Sequence, residues 1–189
     1  MKKIVLLICA LLLTGCSTQY PITTALRLQV DRQSTAMYDP DTTAALKGHD
    51  ARQETAVVIY RLKGKSEVQI PNETPPHALV TNQLAAGLQA QGLVFAGGSP
   101  VRIQLDLNEL VATVTRPKLL YSTTARSYVT LTIKNRKISL SKTFDRETTR
   151  DTATKPPVHE LEKMLNDQLT DIVNQILKDP EIRAAISQR

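Results

Sequence analysis

The sequence predicts an α+β fold in which a mostly antiparallel sheet and two amphipathic helices form a two-layer sandwich. Apolar residues recur at helical spacing between residues 158 and 177, and they alternate with polar residues along several segments between residues 101 and 144. Strands joined by short turns pair in antiparallel fashion, and the helices are expected to cover one face of the resulting sheet. The other face should therefore be polar and open.

The first elements are predicted to be strands. Leu26–Val30 alternates apolar and polar residues, as a half-buried strand does, and residues 42–48 form a weaker candidate. Residues 56–62 are rich in β-branched residues and follow a polar segment. Gly64 is then expected to turn the chain, so that residues 67–70 pair back on the preceding strand.

A helix is predicted from about Thr74 to about Gln91. Thr74 is a candidate N-cap, followed by prolines that the first turn tolerates, and Gly92 stands where a left-handed C-terminal cap is expected. Gly87 lies inside this helix, where a glycine costs about 1 kcal/mol relative to alanine. It is either a weakness or a point of close packing.

Three strands are predicted to follow. In the first, residues 101–115, the apolar positions change from odd to even numbers near Glu109, which predicts a bulge or bend there. The second spans residues 119–134, and Asn135-Arg136 is predicted to form a two-residue hairpin turn. The third carries the alternating apolar residues of 138–144 and gives way to a polar segment over residues 145–157.

The final helical region has the clearest pattern. Residues 158–177 follow the helical period almost without fault. Asp179-Pro180 then predicts a short second helix, because aspartate is a good N-cap and proline is tolerated at the first helical position.

The N-terminus predicts export and lipid attachment. Two lysines precede the ten apolar residues Ile4–Leu13, whereas a helix that spans a bilayer needs about 20. The stretch LLTGC that ends at Cys16 resembles the bacterial lipobox, in which the cysteine thiol is alkylated by diacylglycerol. An ordinary secretory signal with a chance cysteine is the alternative.

These features divide the chain into three parts. Residues 1–15 are the predicted signal peptide, residues 16–25 carry the lipidated Cys16 and a tether, and residues 26–189 form a single domain. Position 17 is serine rather than aspartate. The resemblance to bacterial lipoproteins therefore implies anchoring at the outer membrane, with the domain facing the periplasm.

Composition disfavours nucleic acid as a partner. The chain has no tryptophan, two phenylalanines and five tyrosines, so few aromatic rings are available to stack on bases. Its formal charge of +6 falls to +4 without Lys2 and Lys3. This modest positive charge suits an anionic lipid surface.

The sequence contains no recognisable catalytic or cofactor-binding pattern. His49, His77 and His159 lack the spacing of metal ligands, and we expect no metal site. A nucleophile motif is missing, and Gly97-Gly98-Ser99 is too short for a phosphate-binding loop. We therefore expect no cofactor and no enzymatic activity.

Two groups of polar residues are candidates for binding. Residues 116–155 contain ten basic and three acidic residues, and the candidate face comprises Arg126, Tyr128, Lys134, Arg136 and Lys137. Such a face could meet lipid phosphates or an acidic protein patch, or it could simply be solvated. Asp50 and Arg52 form either a binding rim or a structural corner at the end of a strand.

The chain resembles the YajG family of outer-membrane lipoproteins. The resemblance rests on the lipobox, on Asp50-Ala51-Arg52, and on the stretches QAQGLVF, VRIQLDLNEL and LKDPEIR. It implies a fold and a location but no reaction. We therefore expect an accessory lipoprotein that binds an envelope protein, or alternatively a module that binds lipid or lipopolysaccharide.

Overall fold

A computed structural model describes residues 20–31 and 35–188, so the predicted signal peptide and Cys16 lie outside the described residues. The described chain is an α+β fold with three helices and one curled, seven-stranded mixed sheet. The strands are β1 (Thr43–Asp50), β2 (Val58–Arg61), β3 (Val68–Ile70), β4 (Val94–Phe95), β5 (Val101–Thr115), β6 (Tyr121–Lys134) and β7 (Ser139–Thr152). The helices are α1 (Pro76–Ala90), α2 (Val158–Lys178) and α3 (Pro180–Ser187).

Strand β5 is the centre of the sheet. One of its edges pairs with β6 in antiparallel fashion, and β6 pairs in turn with the edge strand β7. Its other edge is shared by two parallel strands, with β1 beside Val101–Leu107 and β2 beside Ala112–Thr115. β3 is antiparallel to β2, and β4 is parallel to β1.

The expectation of a mostly antiparallel two-layer sandwich is not confirmed. Within the described residues, three of the six strand pairings are parallel. The reason is that α1 lies between the first strands and β5. A helical crossover returns the chain in the same direction, whereas a short turn would reverse it.

The predicted irregularity of β5 is confirmed. The pairing of β5 with β6 shifts its register between Leu107 and Glu109. The buried positions change there from Leu107 and earlier odd numbers to Leu110 and later even numbers. An extra residue at Asn108 keeps both apolar sets on the helix side of the sheet.

Helix α1 approaches its neighbours closely at a glycine. A Cβ atom added to Gly87 would lie 2.5 Å from Cδ1 of Leu177 on α2, so Gly87 is a point of close packing. Gly92 has a positive φ of 92° at the end of the helix, as predicted. The predicted N-cap is wrong, because Pro75 occupies that position and Thr74 lies before it.

Helices α2 and α3 cover the same face of the sheet as α1. The side chain of Asp179 accepts hydrogen bonds from the backbone N–H groups of Glu181 and Ile182, which confirms it as the cap of α3. Gln168 is buried beneath α2, where it accepts from Ser127 Oγ (2.7 Å) and donates to the carbonyl oxygen of Ala125 (3.1 Å). This polar contact fixes α2 over the middle of β6.

The predicted strand at Leu26–Val30 is wrong, although the segment is extended. Leu26 and Leu28 are buried, as the alternation required. Alternate backbone N–H groups donate to one row of side chains on α2 rather than to a strand. The pairs are Ala25 with Glu162, Arg27 with Asn166, Gln29 with Thr170, and Asp31 with Asn174. We call residues 24–31 the strap.

Strand β7 is longer and its turn wider than predicted. β7 continues to Thr152, through more than half of residues 145–157, which were expected to form a polar segment after the strand. Four residues rather than two separate β6 from β7, and the side chain of Asn135 accepts from the N–H groups of Lys137 and Ile138. The two N–H bonds from the Asn135 side chain reach the C-terminal end of α3, at Ala185 and Gln188.

No helix among the described residues has both the length and the apolar composition needed to cross a membrane.

Candidate functional site: the open face of the sheet

The face of the sheet opposite the helices carries the candidate binding residues. Outward-facing side chains alternate along each strand, and on β6 they occupy the even-numbered positions. Tyr128 lies near the middle of this open face and is 37% exposed. It is the only aromatic residue among the exposed large hydrophobic residues of the described chain.

Polar groups on the open face pair mainly with one another. Arg126 Nε donates to Glu147 Oε2 at 3.2 Å, across the pairing of β6 with β7. Thr130 Oγ1 donates to Asn108 Oδ1 at 2.9 Å. Around Tyr128, these polar side chains therefore hydrogen-bond with one another across the strands.

The alternation of β7 separates its charges between the two sides of the sheet. Its carboxylates, Asp145, Glu147 and Asp151, lie at odd-numbered positions on the open face. Its basic residues lie at even-numbered positions on the helix side. Lys142 Nζ contacts Asp179 (2.6 Å), Arg146 Nη2 contacts Gln175 (2.8 Å), and Arg150 contacts Glu160 (3.9 Å). The open face is therefore less basic than the segment as a whole.

The Lys142 contact perturbs both partners. Its hydrogen bond to Asp179 raises the pKa of Lys142. Burial raises the pKa of Asp179, but hydrogen bonds from Lys142 and from the backbone N–H groups of α3 outweigh it and leave the pKa lowered. The ionised carboxylate thus both caps α3 and holds the edge strand.

Unpaired positive charge gathers at one end of the open face. Arg102 lies directly opposite Lys134 in the pairing of β5 with β6, an arrangement that repulsion disfavours. Arg136 and Lys137 are exposed in the adjoining turn. Within the part of the chain that the structure describes, none of these four residues forms an ion pair with a carboxylate.

Asp50 and Arg52 lie on the opposite side of the sheet from this cluster, where the chain leaves β1. Arg52 Nε and Nη2 donate to the two carboxylate oxygens of Asp50 at 2.8 and 2.9 Å. The Arg52 side chain is only 4% exposed, and its Nη1 reaches the carbonyl oxygen of Thr55 at 3.4 Å. The pair closes the loop through which the chain passes from β1 to β2 along one edge of β5.

The Arg52 hydrogen bonds lower the pKa of Asp50 below its usual value, with a smaller opposing effect of burial. His77, near the start of α1, places Nδ1 3.6 Å from the other side of this carboxylate. That nitrogen is buried and has no hydrogen-bond partner. Asp50 is thus ionised and forms its side-chain hydrogen bonds with Arg52, while His77 makes only a longer contact.

The remaining histidines are dispersed. His49 Nδ1 lies 3.1 Å from Asp106 on the open side of β1, and His159 is exposed at the start of α2. Among residues 20–31 and 35–188, no three histidine, cysteine, aspartate or glutamate side chains come together as a metal site.

Sequence reasoning missed two features. The first is the strap, whose signal is the repeat of polar acceptors at every fourth residue of α2. The second is a cluster at the start of the described chain, where the rings of Tyr20 and Tyr60 lie 4.8 Å apart and Lys155 Nζ lies 4.3 Å from the Tyr20 ring. No local pattern links residues so distant in sequence.

Comparison with known proteins gives a family and a fold. A family model described as "Uncharacterized lipoprotein" matches residues 29–187. No curated protein matches the chain. The fold is similar to the crystal structure of a protein from Xanthomonas campestris, with a TM-score of 0.59 and 10% identity over 86% of this chain and 96% of that chain.

Two further solved structures show weaker similarity. An uncharacterized protein is 18% identical, with a TM-score of 0.46 over 82% of this chain and 97% of its own. A hypothetical protein from Chlamydia trachomatis is 10% identical, with a TM-score of 0.36 over 72% of this chain and 97% of its own. At these identities the similarity concerns the fold alone.

Proposed function

Because the chain belongs to a family of uncharacterized lipoproteins, we propose that it is a non-enzymatic accessory protein of the bacterial envelope. Lipid on Cys16 anchors it at the outer membrane, and its domain faces the periplasm and binds a protein partner. The resemblance to the YajG family is consistent with this family. The single observation that carries the binding role is the open face of the sheet around Tyr128.

The composition of the open face suits a protein partner. All three helices lie on the opposite side, so the surface formed by β5, β6 and β7 is available for contact. Tyrosine and arginine are the residues most often found at the energetic centre of protein interfaces, and Tyr128 stands beside Arg126. The hydrogen bond from Arg126 Nε to Glu147 restrains the guanidinium on this face.

Site-specific photo-crosslinking in cells tests this proposal. A photoreactive amino acid replaces Tyr128, Arg136 or Ser139, and adducts are identified by mass spectrometry. One recurring protein adduct at Tyr128 is the expected result. Lys163, exposed on α2, serves as the control position on the helix side. The proposal fails if Tyr128 and Lys163 give the same adducts or if neither gives any.

A second candidate function is binding of anionic lipid or lipopolysaccharide. It is favoured by the unpaired cations at the β6–β7 end of the open face: Arg102, Lys134, Arg136 and Lys137. Phosphate groups are natural partners for such a cluster. Replacing Arg136 and Lys137 by glutamate should then abolish salt-sensitive lipid binding, whereas the protein crosslink at Tyr128 should persist if the first proposal is correct.

A further inference from the structure

We propose that one end of the domain makes a second contact with the membrane. This end rests on the same anionic phospholipid surface into which the lipid on Cys16 inserts. This anchor end comprises the hairpin of residues 116–120, the turn of residues 62–67, and Tyr20. The inference rests on the proposed lipidation of Cys16. It adds an orientation of the domain and a lipid-binding surface that the anchor alone does not provide.

Strand pairing brings these segments to the same end of the sheet. β2 runs parallel to β5, and the pairs Tyr60–Val114 and Arg61–Thr115 place the turn after β2 beside the hairpin after β5. Tyr121, which follows the hairpin, pairs with Thr152 at the end of β7. The chain therefore has three of its connections at this end.

The start of the described chain lies at the same end. The Tyr20 ring packs on Tyr60, one residue before the end of β2. Lys155, which follows β7, donates to the Tyr20 hydroxyl at 3.1 Å. The Tyr60 hydroxyl donates to the carbonyl oxygen of Pro156 at 2.8 Å. Tyr20 is thus fixed to the domain by packing and by hydrogen bonding.

The short chain between the anchor and Tyr20 limits how far this end can stand from the membrane. Only three residues separate Cys16 from Tyr20. A fully extended chain covers at most roughly 14 Å over that interval. A lipid on Cys16 therefore brings the anchor end close to the headgroup layer.

Exposed aliphatic side chains concentrate at this end. Five large hydrophobic residues of the described chain are exposed. Leu119 (82%) and Leu120 (48%) occupy the hairpin tip, and Ile22 (90%) lies two residues after Tyr20. The other two are Tyr128, on the open face, and Val94, at the opposite end of the sheet. Adjacent leucines on a protruding hairpin are suited to insertion among lipid headgroups and acyl chains.

Positive charge surrounds these leucines. Lys118 lies within the hairpin, Arg116 stacks 4.8 Å from the Tyr121 ring, and Lys63 and Lys65 are exposed in the neighbouring turn. Within the described residues, no ion pair involves Lys63, Lys65 or Lys118. Of the carboxylates at this end, Glu67 pairs with Arg61 (2.6 Å) and Glu160 with Arg150 (3.9 Å), while Asp151, opposite Ser122, has no ion pair among the described residues. Lysines around an apolar tip complement an anionic phospholipid surface.

A fluorescence experiment tests this contact in the full mature, lipidated protein. Leu119→Cys and Val94→Cys variants are labelled with an environment-sensitive dye and reconstituted into vesicles of phosphatidylethanolamine and phosphatidylglycerol. Cys16 is the only cysteine of the predicted mature chain and is blocked by lipid, so the dye reports the introduced site. Val94 is the matched control, as an exposed aliphatic residue at the far end of the sheet.

At Leu119, we expect a blue-shifted emission and several-fold weaker quenching by aqueous iodide than at Val94. Equal quenching at the two positions in protein that floats with the vesicles overturns the membrane contact and leaves the anchor intact. Protein that does not float with the vesicles overturns both the lipid anchor and the membrane contact, because the anchor end is held near the membrane only by lipid at Cys16. Circular dichroism of each variant checks that the fold is unchanged.

Discussion

At the scale of single residues, the corner formed by Asp50 and Arg52 illustrates how a buried charge is compensated. The guanidinium of Arg52 is almost inaccessible, so removing its carboxylate partner would leave a charge in a poorly solvated site. Asp50 is 31% exposed, and water screens part of the interaction. The pair therefore contributes less to stability than a fully buried one.

We predict that Asp50→Asn lowers the free energy of unfolding by about 1–2 kcal/mol at neutral pH, because Arg52 loses an ionised partner. Urea denaturation followed by circular dichroism measures this change. Asp145→Asn, which alters an exposed carboxylate on β7, is the control and should change stability by less than about 0.5 kcal/mol. Equal effects of the two substitutions would contradict a special role for the corner.

The pH dependence of the same pair has a defined sign. Arg52 lowers the pKa of Asp50 in the folded state, so the unfolded state binds the proton more tightly. The stabilisation is fully present above the ordinary aspartate pKa of about 4 and is lost as the pH falls through the lowered folded value. Wild-type protein should therefore lose more stability than Asp50→Asn between about pH 5 and pH 2. Parallel curves would contradict this assignment.

Single residues also show where sequence reasoning about the site was limited. Residues 116–155 contain ten basic and three acidic residues, but this count does not indicate which face of the sheet each side chain occupies. Alternation along β7 directs Arg146 inward and Glu147 outward. The sequence assigned residues beyond Phe144 to a polar segment, because no apolar side chain marks the inner face there. Because the pattern predicts no strand there, it does not indicate that Arg146 and Arg150 face inward, and both count toward the predicted surface charge.

At the scale of elements, the strap shows that alternation reveals extended backbone but not its partner. Leu26 and Leu28 are buried, as a strand pattern requires. The backbone N–H groups of Arg27 and Gln29, which alternate with these leucines, donate to Asn166 and Thr170, residues one helical turn apart on α2. Two residues of extended chain and four residues of helix advance by similar distances of about 6–7 Å. Every second N–H group of the strap therefore meets every fourth side chain of α2.

We predict that Asn166→Ala combined with Asn174→Ala releases the strap. Each substitution removes one acceptor, at 2.7 Å from the Arg27 nitrogen and 3.1 Å from the Asp31 nitrogen. The combined loss should be about 1 kcal/mol, because the bonds are exposed. Hydrogen exchange of residues 25–31 should accelerate, while exchange in β6 should not. Asp171→Ala, on the same helix, is the control; unchanged exchange in the double variant would contradict the role of these acceptors.

A second prediction at this scale concerns the contact between α1 and α2. Gly87→Ala should destabilise the protein although alanine favours helices, because the new Cβ would lie 2.5 Å from Leu177 Cδ1. Overpacking costs about 1–3 kcal/mol, which exceeds the helix-propensity gain of about 1 kcal/mol. In a Leu177→Ala background the clash disappears, and the same substitution should become neutral or stabilising. Additive effects in the four-variant cycle would contradict this packing.

Elements with strong local signals were the ones predicted correctly. The helical period of α2, the cap at Asp179 and the shift near Glu109 are all properties of neighbouring residues. The parallel pairing of β1 with β5 is not, because it joins Ala44 to Val101 across a helix and several loops. Pairing direction follows from the path of the chain in space, whereas the alternation of a half-buried strand reports only which of its faces is buried.

At the scale of the whole molecule, the two ends of the sheet face different surroundings in our proposal. The fourteen residues of β6 span roughly 45 Å from the hairpin at residues 116–120 to the turn that holds Arg136 and Lys137. If the anchor end rests on the membrane, that turn lies well beyond the headgroup layer. Its cations would then be available to a partner in the periplasm rather than to the lipid that carries the anchor.

This geometry predicts that charge reversal at the two ends has different effects. In lipidated protein labelled at Leu119, changing Lys63, Lys65 and Lys118 to glutamate should shift the dye emission toward that in water and increase its quenching by iodide. Repulsion by anionic phosphatidylglycerol would lift the hairpin from the surface. Added salt should weaken the contact of unchanged protein in the same direction, because it screens attraction between lysines and lipid.

Arg136→Glu combined with Lys137→Glu provides the matched control for that experiment, since it also reverses exposed basic charge in a turn. We expect no effect on the Leu119 dye, because these residues are at the far end of the sheet. An equal loss of contact from both sets would indicate a general attraction between the protein and the membrane. Loss from the Arg136 and Lys137 changes alone would invert the orientation, because it would place the β6–β7 turn, rather than the anchor end, against the lipid.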